Sequence, residues 1–218
     1  MTKQSICCRL LVLLFVAELL CIFKMNYYIS DLHFGHSNIL KFDNRIWDNV
    51  DDMKQSLIIT WNAVVTNADH VYHVGDFCWG KTPEWIEILK QLNGNIHIVQ
   101  GNHDIGPSKE LNKYIVEYTN YKEVKDGDFT VILSHYPMLF YKHDGSPNYV
   151  MICGHLHNTK EWEQMRQMIA WGRKNYVQFP DNRFQIIPVE ACKPYMLYTP
   201  RTLEYLLDCL DTGKIYGI

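Results

Sequence analysis

The tetrapeptide Gly101-Asn102-His103-Asp104 sets an amide oxygen, an imidazole and a carboxylate on consecutive residues, directly after the apolar run Ile96-His97-Ile98-Val99. Four more short clusters have the same character: Asp31-Leu32-His33, Gly75-Asp76, Ser134-His135 and Gly154-His155-Leu156-His157, each at the end of a run that reads as a strand. Oxygen and imidazole donors without thiolate suit hard or borderline divalent cations. Residues i and i+2 of an extended segment point to one side, so Asp31 and His33 can face one ion while Leu32 packs behind. The clusters together read as a two-metal site. Two ions about 3.5–4 Å apart can acidify a shared water to hydroxide, clamp phosphate oxygens and offset the charge growing on phosphorus.

Such clusters need strands to deliver them. Asn26-Tyr27-Tyr28-Ile29-Ser30, Val71-Tyr72-His73-Val74 and the Ile96 run are rich in β-formers, and each ends where a cluster begins. Between them, Met53, Leu57, Trp61 and Val64 recur at helical spacing from about 50 to 65. Thr82-Pro83-Glu84 reads as a helix start with Thr82 as N-cap, and Asn93-Gly94 as its stop. Strand alternating with helix is the pattern of an α/β layer. The second half predicts strands over 114–118 and 121–125, the Asp126-Gly127 hairpin turn, then strands over 128–134, 149–152 and 184–189. A polar helix is expected over 158–173, and a last helix from Thr199-Pro200 with Leu203, Leu206, Leu207 and Leu210 on its apolar face and Gly213 as its stop.

A chain of 218 residues with 47% apolar and 21% charged content can bury a core as one domain. Its net charge of -3 and lack of a Lys/Arg-rich run exclude an extended nucleic-acid-tracking surface, while a short nucleotide remains allowed. Residues 1–24 form an apolar leader interrupted by Arg9 and Glu18. No small-x-small cleavage site follows, and Glu18 is costly inside a spanning helix. Met25 immediately precedes the first strand, so the domain is expected to occupy residues 25–218 of a cytoplasmic protein, with the leader an upstream extension. Export or membrane anchoring are the alternatives, and membrane contact is expected only if the leader is retained. Cys78, Cys153, Cys192 and Cys209 show no C-x-x-C spacing and read as buried free thiols, with a metal-binding Cys78 or Cys153 as the alternative.

Taken in order, D-x-H, G-D, G-N-H-[DE], an isolated His and G-H-x-H resemble the calcineurin-like metallophosphoesterase family, in its small single-domain bacterial or phage form. The resemblance runs from about Asn26 to the last helix. It implies an α/β fold, a two-sheet β-sandwich flanked by helices in αββα order, with the site at the strand ends. It also implies that Asp31, His33 and His157 hold one metal and Asn102, His135 and His155 the other. Asp76 would bridge them, one ion on each carboxylate oxygen. Mn²⁺ is the first expectation for both ions, with Fe or Zn²⁺ next. His103 becomes the general acid for the leaving oxygen, Asp104 orients it, and His36 joins Asn102 and His103 as a substrate contact. The function implied is hydrolysis of a small phosphomonoester, phosphodiester or nucleotide; the alternative is a non-catalytic protein-binding scaffold of the same fold. His70, His73, His97 and His143 read as structural. Arg166, Arg173, Lys174 and Arg183, with Trp162 and Trp171, read as a solvated helix face rather than a recognition surface.

Overall fold

Short runs of Val, Ile and Tyr, each closed by a ligand cluster or a turn, become strands, and nearly every one is parallel to a neighbour. The computed structural model describes residues 24–175 and 185–216, so the leader at 1–23, Phe184 and Arg183 lie outside the described residues. In the first sheet, β1 (Asn26–Ile29), β2 (His70–His73), β3 (Asn95–Val99) and β4 (Glu117–Thr119) run parallel in the order β4-β3-β2-β1, and β9 (Arg201–Thr202) lies antiparallel beyond β1. The second sheet holds β5 (Lys122–Asp126), β6 (Phe129–Leu133), β7 (Tyr149–Cys153) and β8 (Ile186–Pro188) in that order. There β5 and β6 form an antiparallel hairpin and β6, β7 and β8 are parallel. The helices are α1 (Ile39–Phe42), α2 (Val50–Val64), α3 (Thr82–Leu89), α4 (Lys160–Asn175) and α5 (Leu203–Asp211). This is the two-sheet α/β sandwich flanked by helices. None of the helices among the described residues is long and apolar enough to cross a membrane.

Strands covered on both faces have no solvent side, which is why Ile96, Ile98 and Val99 of β3, Val131 to Leu133 of β6 and Val150 to Cys153 of β7 are all buried. The sheets meet where β1 ends: Ser30 pairs with Glu190, its N–H donating to Val189 O at 2.9 Å and its carbonyl accepting from Ala191 N–H at 2.9 Å. Helix α2 starts at Asn49, whose side chain accepts from the N–H groups of Asp51 and Asp52 at 3.1 and 2.9 Å, and those two carboxylates complement the helix dipole. It buries Met53, Leu57 and Trp61, and Trp61 Nε1–H donates to Asn93 O at 2.9 Å.

Three boundaries differ from expectation. Helix α3 begins at Thr82 with Lys81 as its N-cap, because the Glu84 carboxylate reaches back to accept from Lys81 N–H at 3.1 Å; Pro83 still lies in the first turn, where a missing N–H costs little. The last helix does not start at Thr199-Pro200. Arg201 and Thr202 first pair with Tyr28 and Tyr27 on the open side of β1, and Thr202 then caps α5 by accepting from Tyr205 N–H at 3.4 Å. Pairing there satisfies an edge that would otherwise stay open. The strand expected over 114–118 is shorter and later, β4 at Glu117–Thr119, with a 3-10 turn at Leu111–Lys113 ahead of it.

The polar helix α4 carries Arg166, held by Glu163 at 3.0 Å and by Tyr216 O at 3.0 Å, and Trp162, stacked on Tyr216 at 5.7 Å. Those two residues serve packing; the side chains of Arg173 and Lys174 lie outside the described residues. Trp85 of α3 is fully buried and its Nε1–H donates to Cys78 O at 3.1 Å. Trp85→Ala leaves a cavity and an orphaned carbonyl, and is expected to cost about 3–5 kcal/mol of stability by urea unfolding, whereas Ile59→Ala, at an exposed position of α2, should stay within about 0.5 kcal/mol.

Candidate metal centre

Each candidate ligand follows the carboxyl end of a strand: Asp31 and His33 after β1, Asp76 after β2, Asn102 after β3, His135 after β6, His155 and His157 after β7. Asp31 Oδ1 lies 3.7 Å from His33 Nε2 and 3.1 Å from His157 Nε2, and those two nitrogens are 3.3 Å apart. Asp76 Oδ2 is 3.7 Å from His33 Nε2 and 3.6 Å from His135 Nε2. Asn102 Oδ1 sits 3.0 Å from His135 Nε2 and 2.9 Å from His155 Nδ1. The seven side chains thus form one continuous group with Asp76 at its middle, and the ligand atoms of Asp31, His33, Asp76 and His157 lie within 4.8 Å of one another. In one respect the arrangement departs from expectation. Asp76 Oδ1 accepts from His103 N–H at 2.9 Å, so Oδ2 alone faces both His33 and His135, and a bridge would pass through a single oxygen.

Proton positions test whether these residues fit cations. His157 Nδ1 faces the Asp43 carboxylate at 3.0 and 3.1 Å, and His135 Nδ1 faces Val74 O at 2.9 Å. A carboxylate and a carbonyl only accept, so each Nδ1 carries the hydrogen and each Nε2 of a neutral ring turns a lone pair inward. Inside the group, His157 Nε2 then meets Asp31 Oδ1 and His135 Nε2 meets Asn102 Oδ1, acceptor against acceptor. Asp31 Oδ1 is buried without a hydrogen-bond partner. The donor set fits two divalent cations. With no cation there, a second proton on His157 has to serve: burial opposes it, but Asp31 and Asp43 outweigh burial and raise the His157 pKa. Burial likewise resists charge on Asp31, yet His157 and His33 hold its carboxyl well below the usual range.

Asp31, His33, Asp76, His155 and His157 all have left-handed backbone, with φ of 56°, 52°, 57°, 75° and 45°. For residues with a Cβ this costs on the order of 1–2 kcal/mol each. Buried charged groups hold the loops in place. Arg45, only 6% exposed, donates to the carbonyls of Asp31 and Leu32, both at 2.7 Å. Glu190 accepts from His157 N–H at 3.0 Å while Lys193 donates to His157 O. Asp31 Oδ2 accepts from His155 N–H at 3.1 Å. Gly101 and Gly154 lie so close to the site that a Cβ would overlap the Asp76 and Asp31 carboxylates, respectively.

Asp104 belongs to this clamp. Its carboxylate accepts from the N–H groups of Asp76 and Gly101 at 2.9 Å and Phe77 at 2.7 Å, so it ties two ligand turns together instead of orienting the His103 ring. Burial pushes its pKa up to about 6 against the pull of those donors. His103 is exposed at the mouth, its ring 5.8 Å from that of His33 and 5.0 Å from Trp79. His36 lies 5.5 Å from the His33 ring and stacks on Trp79 at 4.3 Å. His70, His73, His97 and His143 stay out of the centre: His70 Nδ1 meets His97 Nε2 at 2.8 Å, His143 packs on Tyr149 at 4.7 Å, and complete burial brings the His73 pKa down to about 3. The four cysteines outside the leader are free. Burial raises the thiol of Cys78 to about 12 and that of Cys153 well above its usual value, which keeps both protonated; the thiol that approaches the site is Cys192, grouped with Asp43 and His157. Asp43, Arg45, Glu190 and Lys193 do not stand out in the sequence; the available signal is an Asp and an Arg two residues apart soon after the first ligand cluster.

Comparison with known proteins gives a concordant picture. Residues 26–171, more than half of the chain, match the model of the calcineurin-like phosphoesterase superfamily domain. An uncharacterized protein of Methanocaldococcus jannaschii is 43% identical over 98 residues, which are 44% of this chain and 54% of that one. The gene 66 protein of Mycobacterium phage L5 is 31% identical over 98 residues, 42% of this chain and 46% of that one. The matches thus span about half the length of these curated relatives. Among solved structures, a protein of unknown function from Aquifex aeolicus aligns with a TM-score of 0.59 and 26% identity over 86% of this chain and 100% of its own.

Asp43 fixes which nitrogen of His157 points inward, and groups in that position typically govern metal affinity by 10–100-fold. Asp43→Ala is accordingly expected to weaken Mn²⁺ binding by about that factor in calorimetric titration, and an affinity equal to the unaltered protein's would show that His157 is oriented by something else.

Proposed function

The chain belongs to the calcineurin-like phosphoesterase superfamily, and on that premise we propose that it hydrolyses a small phosphomonoester or phosphodiester using two divalent cations, Mn²⁺ ahead of Fe or Zn²⁺. The observation that carries this reading is Asp76 Oδ2, set 3.7 Å from His33 Nε2 and 3.6 Å from His135 Nε2. One buried carboxylate oxygen shared by two imidazoles divides the donors into adjacent halves: Asp31, His33 and His157 on one side, Asn102, His135 and His155 on the other. When bound, a pair of divalent cations supplies an acidified water and charge compensation at phosphorus.

The chain's own groups do the rest. Asp43 and Val74 O keep the Nδ1 hydrogens of His157 and His135 pointed away, so that lone pairs face the centre. Arg45, Asp104, Glu190 and Lys193 hold the ligand loops, so little reorganisation remains when substrate arrives. His103 is anchored through its own N–H to Asp76 and leaves its imidazole in solvent at the mouth. From there the ring can protonate the departing oxygen, which leaves badly as an alkoxide. A net charge of -3 without a basic run favours small substrates over long nucleic acid. The proposal includes a cytoplasmic location, which fractionation of cells making the native protein tests.

The deciding experiment incubates Mn²⁺-loaded protein with p-nitrophenyl and bis-p-nitrophenyl phosphate and then a nucleotide panel. Turnover that disappears on chelation and returns with Mn²⁺ is the expected result; a loaded protein inert toward every ester but tightly bound to a protein partner would instead identify a scaffold. Asp76→Ala should lose bound metal as well as activity, measured by elemental analysis. His103→Ala should keep its metal and lose about 10²- to 10⁴-fold in rate on alkyl esters, and an unaltered alkyl rate would remove His103 from the acid role.

A further inference from the structure

An exposed aromatic surface borders the centre on its His103 side, and hydrolysis by itself does not require one. Trp79 is 49% exposed. Its place is fixed from the ligand segment: Cys78 bridges to Phe34, and Trp79 N–H donates to Phe34 O at 2.7 Å. One face of the indole is covered by His36, with ring centroids 4.3 Å apart and planes 12° from parallel, and the His103 ring is 5.0 Å away. Phe42, 73% exposed, meets the His36 ring edge-on at 6.3 Å. None of these contacts involves a lysine or arginine.

A group that receives its proton from His103 must emerge beside His103, and the surface it meets there is the free part of the indole. A flat, backed π-surface offers little to a flexible alkyl chain and most to another planar ring, for which stacking on an aromatic side chain is favourable whatever the ring's substituents. We propose that Trp79, supported from behind by His36, is a stacking platform for a planar aromatic leaving group, so that the site prefers nucleoside or aryl phosphoesters to alkyl ones. This rests on the phosphoesterase reading with His103 on the leaving-group side.

The test compares the full chain with Trp79→Leu, which removes the ring, and Trp79→Phe, which keeps a smaller one. The Mn²⁺-loaded proteins are assayed with 5′-AMP, phenyl phosphate and glycerol 3-phosphate, and adenosine is titrated against tryptophan fluorescence without metal. Expected are a KM for glycerol 3-phosphate well above that for the aromatic esters, a collapse of that ratio by about 10-fold in Trp79→Leu, and its recovery in Trp79→Phe. Adenosine should quench the unaltered protein, and the quench should shrink in both variants. A ratio unchanged in Trp79→Leu overturns the platform. A ratio that collapses for phenyl phosphate but not for 5′-AMP assigns it to simple aryl esters, and the reverse to nucleosides. Should no ester be hydrolysed at all, the phosphoesterase reading fails, and the adenosine quench alone decides the platform: its absence overturns it and its dependence on Trp79 upholds it.

Discussion

Asp31 Oδ1 and His157 Nε2, Asp76 Oδ2 and His135 Nε2, and His135 Nε2 and Asn102 Oδ1 confront each other across 3.1, 3.6 and 3.0 Å with the ring hydrogens committed elsewhere. The rest of the structure answers to this confrontation. Asp31 and Asp76 place oxygens within 4.8 Å in the interior, a like-charge pair worth roughly 3–4 kcal/mol of repulsion at an effective dielectric of about 20. A chain does not keep such a group buried for packing, since an apolar replacement would be more stable. What it obtains is a set of donors already desolvated and aimed inward before any ion arrives.

Holding that set requires an outer layer of charge. Arg45, Asp104, Glu190 and Lys193 are residue types that seldom leave water, yet Glu190 is wholly buried and Lys193 is 2% exposed. Each makes at least one hydrogen bond to a backbone group of the ligand turns. The reason lies in the conformation of those turns: a left-handed Asp or His relaxes toward extended or helical geometry unless its N–H or C=O is held by something strong, and a charged partner gives a stronger bond than a neutral one. The Ser30 hydroxyl and the second Glu190 oxygen remain buried without partners beside this layer, and burial raises the Glu190 pKa despite the charge of Lys193. The inner donors are thereby positioned from the surrounding layer inward.

How much of this could be read from sequence follows from which atoms make the contacts. The candidate ligands are Asp, Asn and His, side chains with donor atoms of their own, and they follow strand ends, so 31, 33, 76, 102, 135, 155 and 157 stand out in the bare chain. The alternation of strands and helices through β3 was legible for the same reason, since burial imposes a period on residue type. Arg45, Glu190 and Lys193 were not, because they hold carbonyls and amides, which every residue has; Asp43 was not, because its partners His157 and Arg45 are met only in the fold or within an ordinary charged pair. Asp104 follows the same rule: adjacency to His103 suggests a side-chain pair, whereas its oxygens turn back to three N–H groups. The start of α5 escaped because Arg201 and Thr202 carry no strand pattern of their own; they are extended because β1 has a free side for them to join.

The Ser30–Glu190 bridge has a consequence for how the molecule is assembled. It sets the exit of β1 against the exit of β8, so that each half of the centre borrows from both layers: Asp31 and His33 come with His157, Asn102 with His135 and His155. A polypeptide severed between Thr119 and Lys122 would leave neither piece with a full complement. An ion captured there would rivet one layer to the other, and its binding free energy would be shared with their docking.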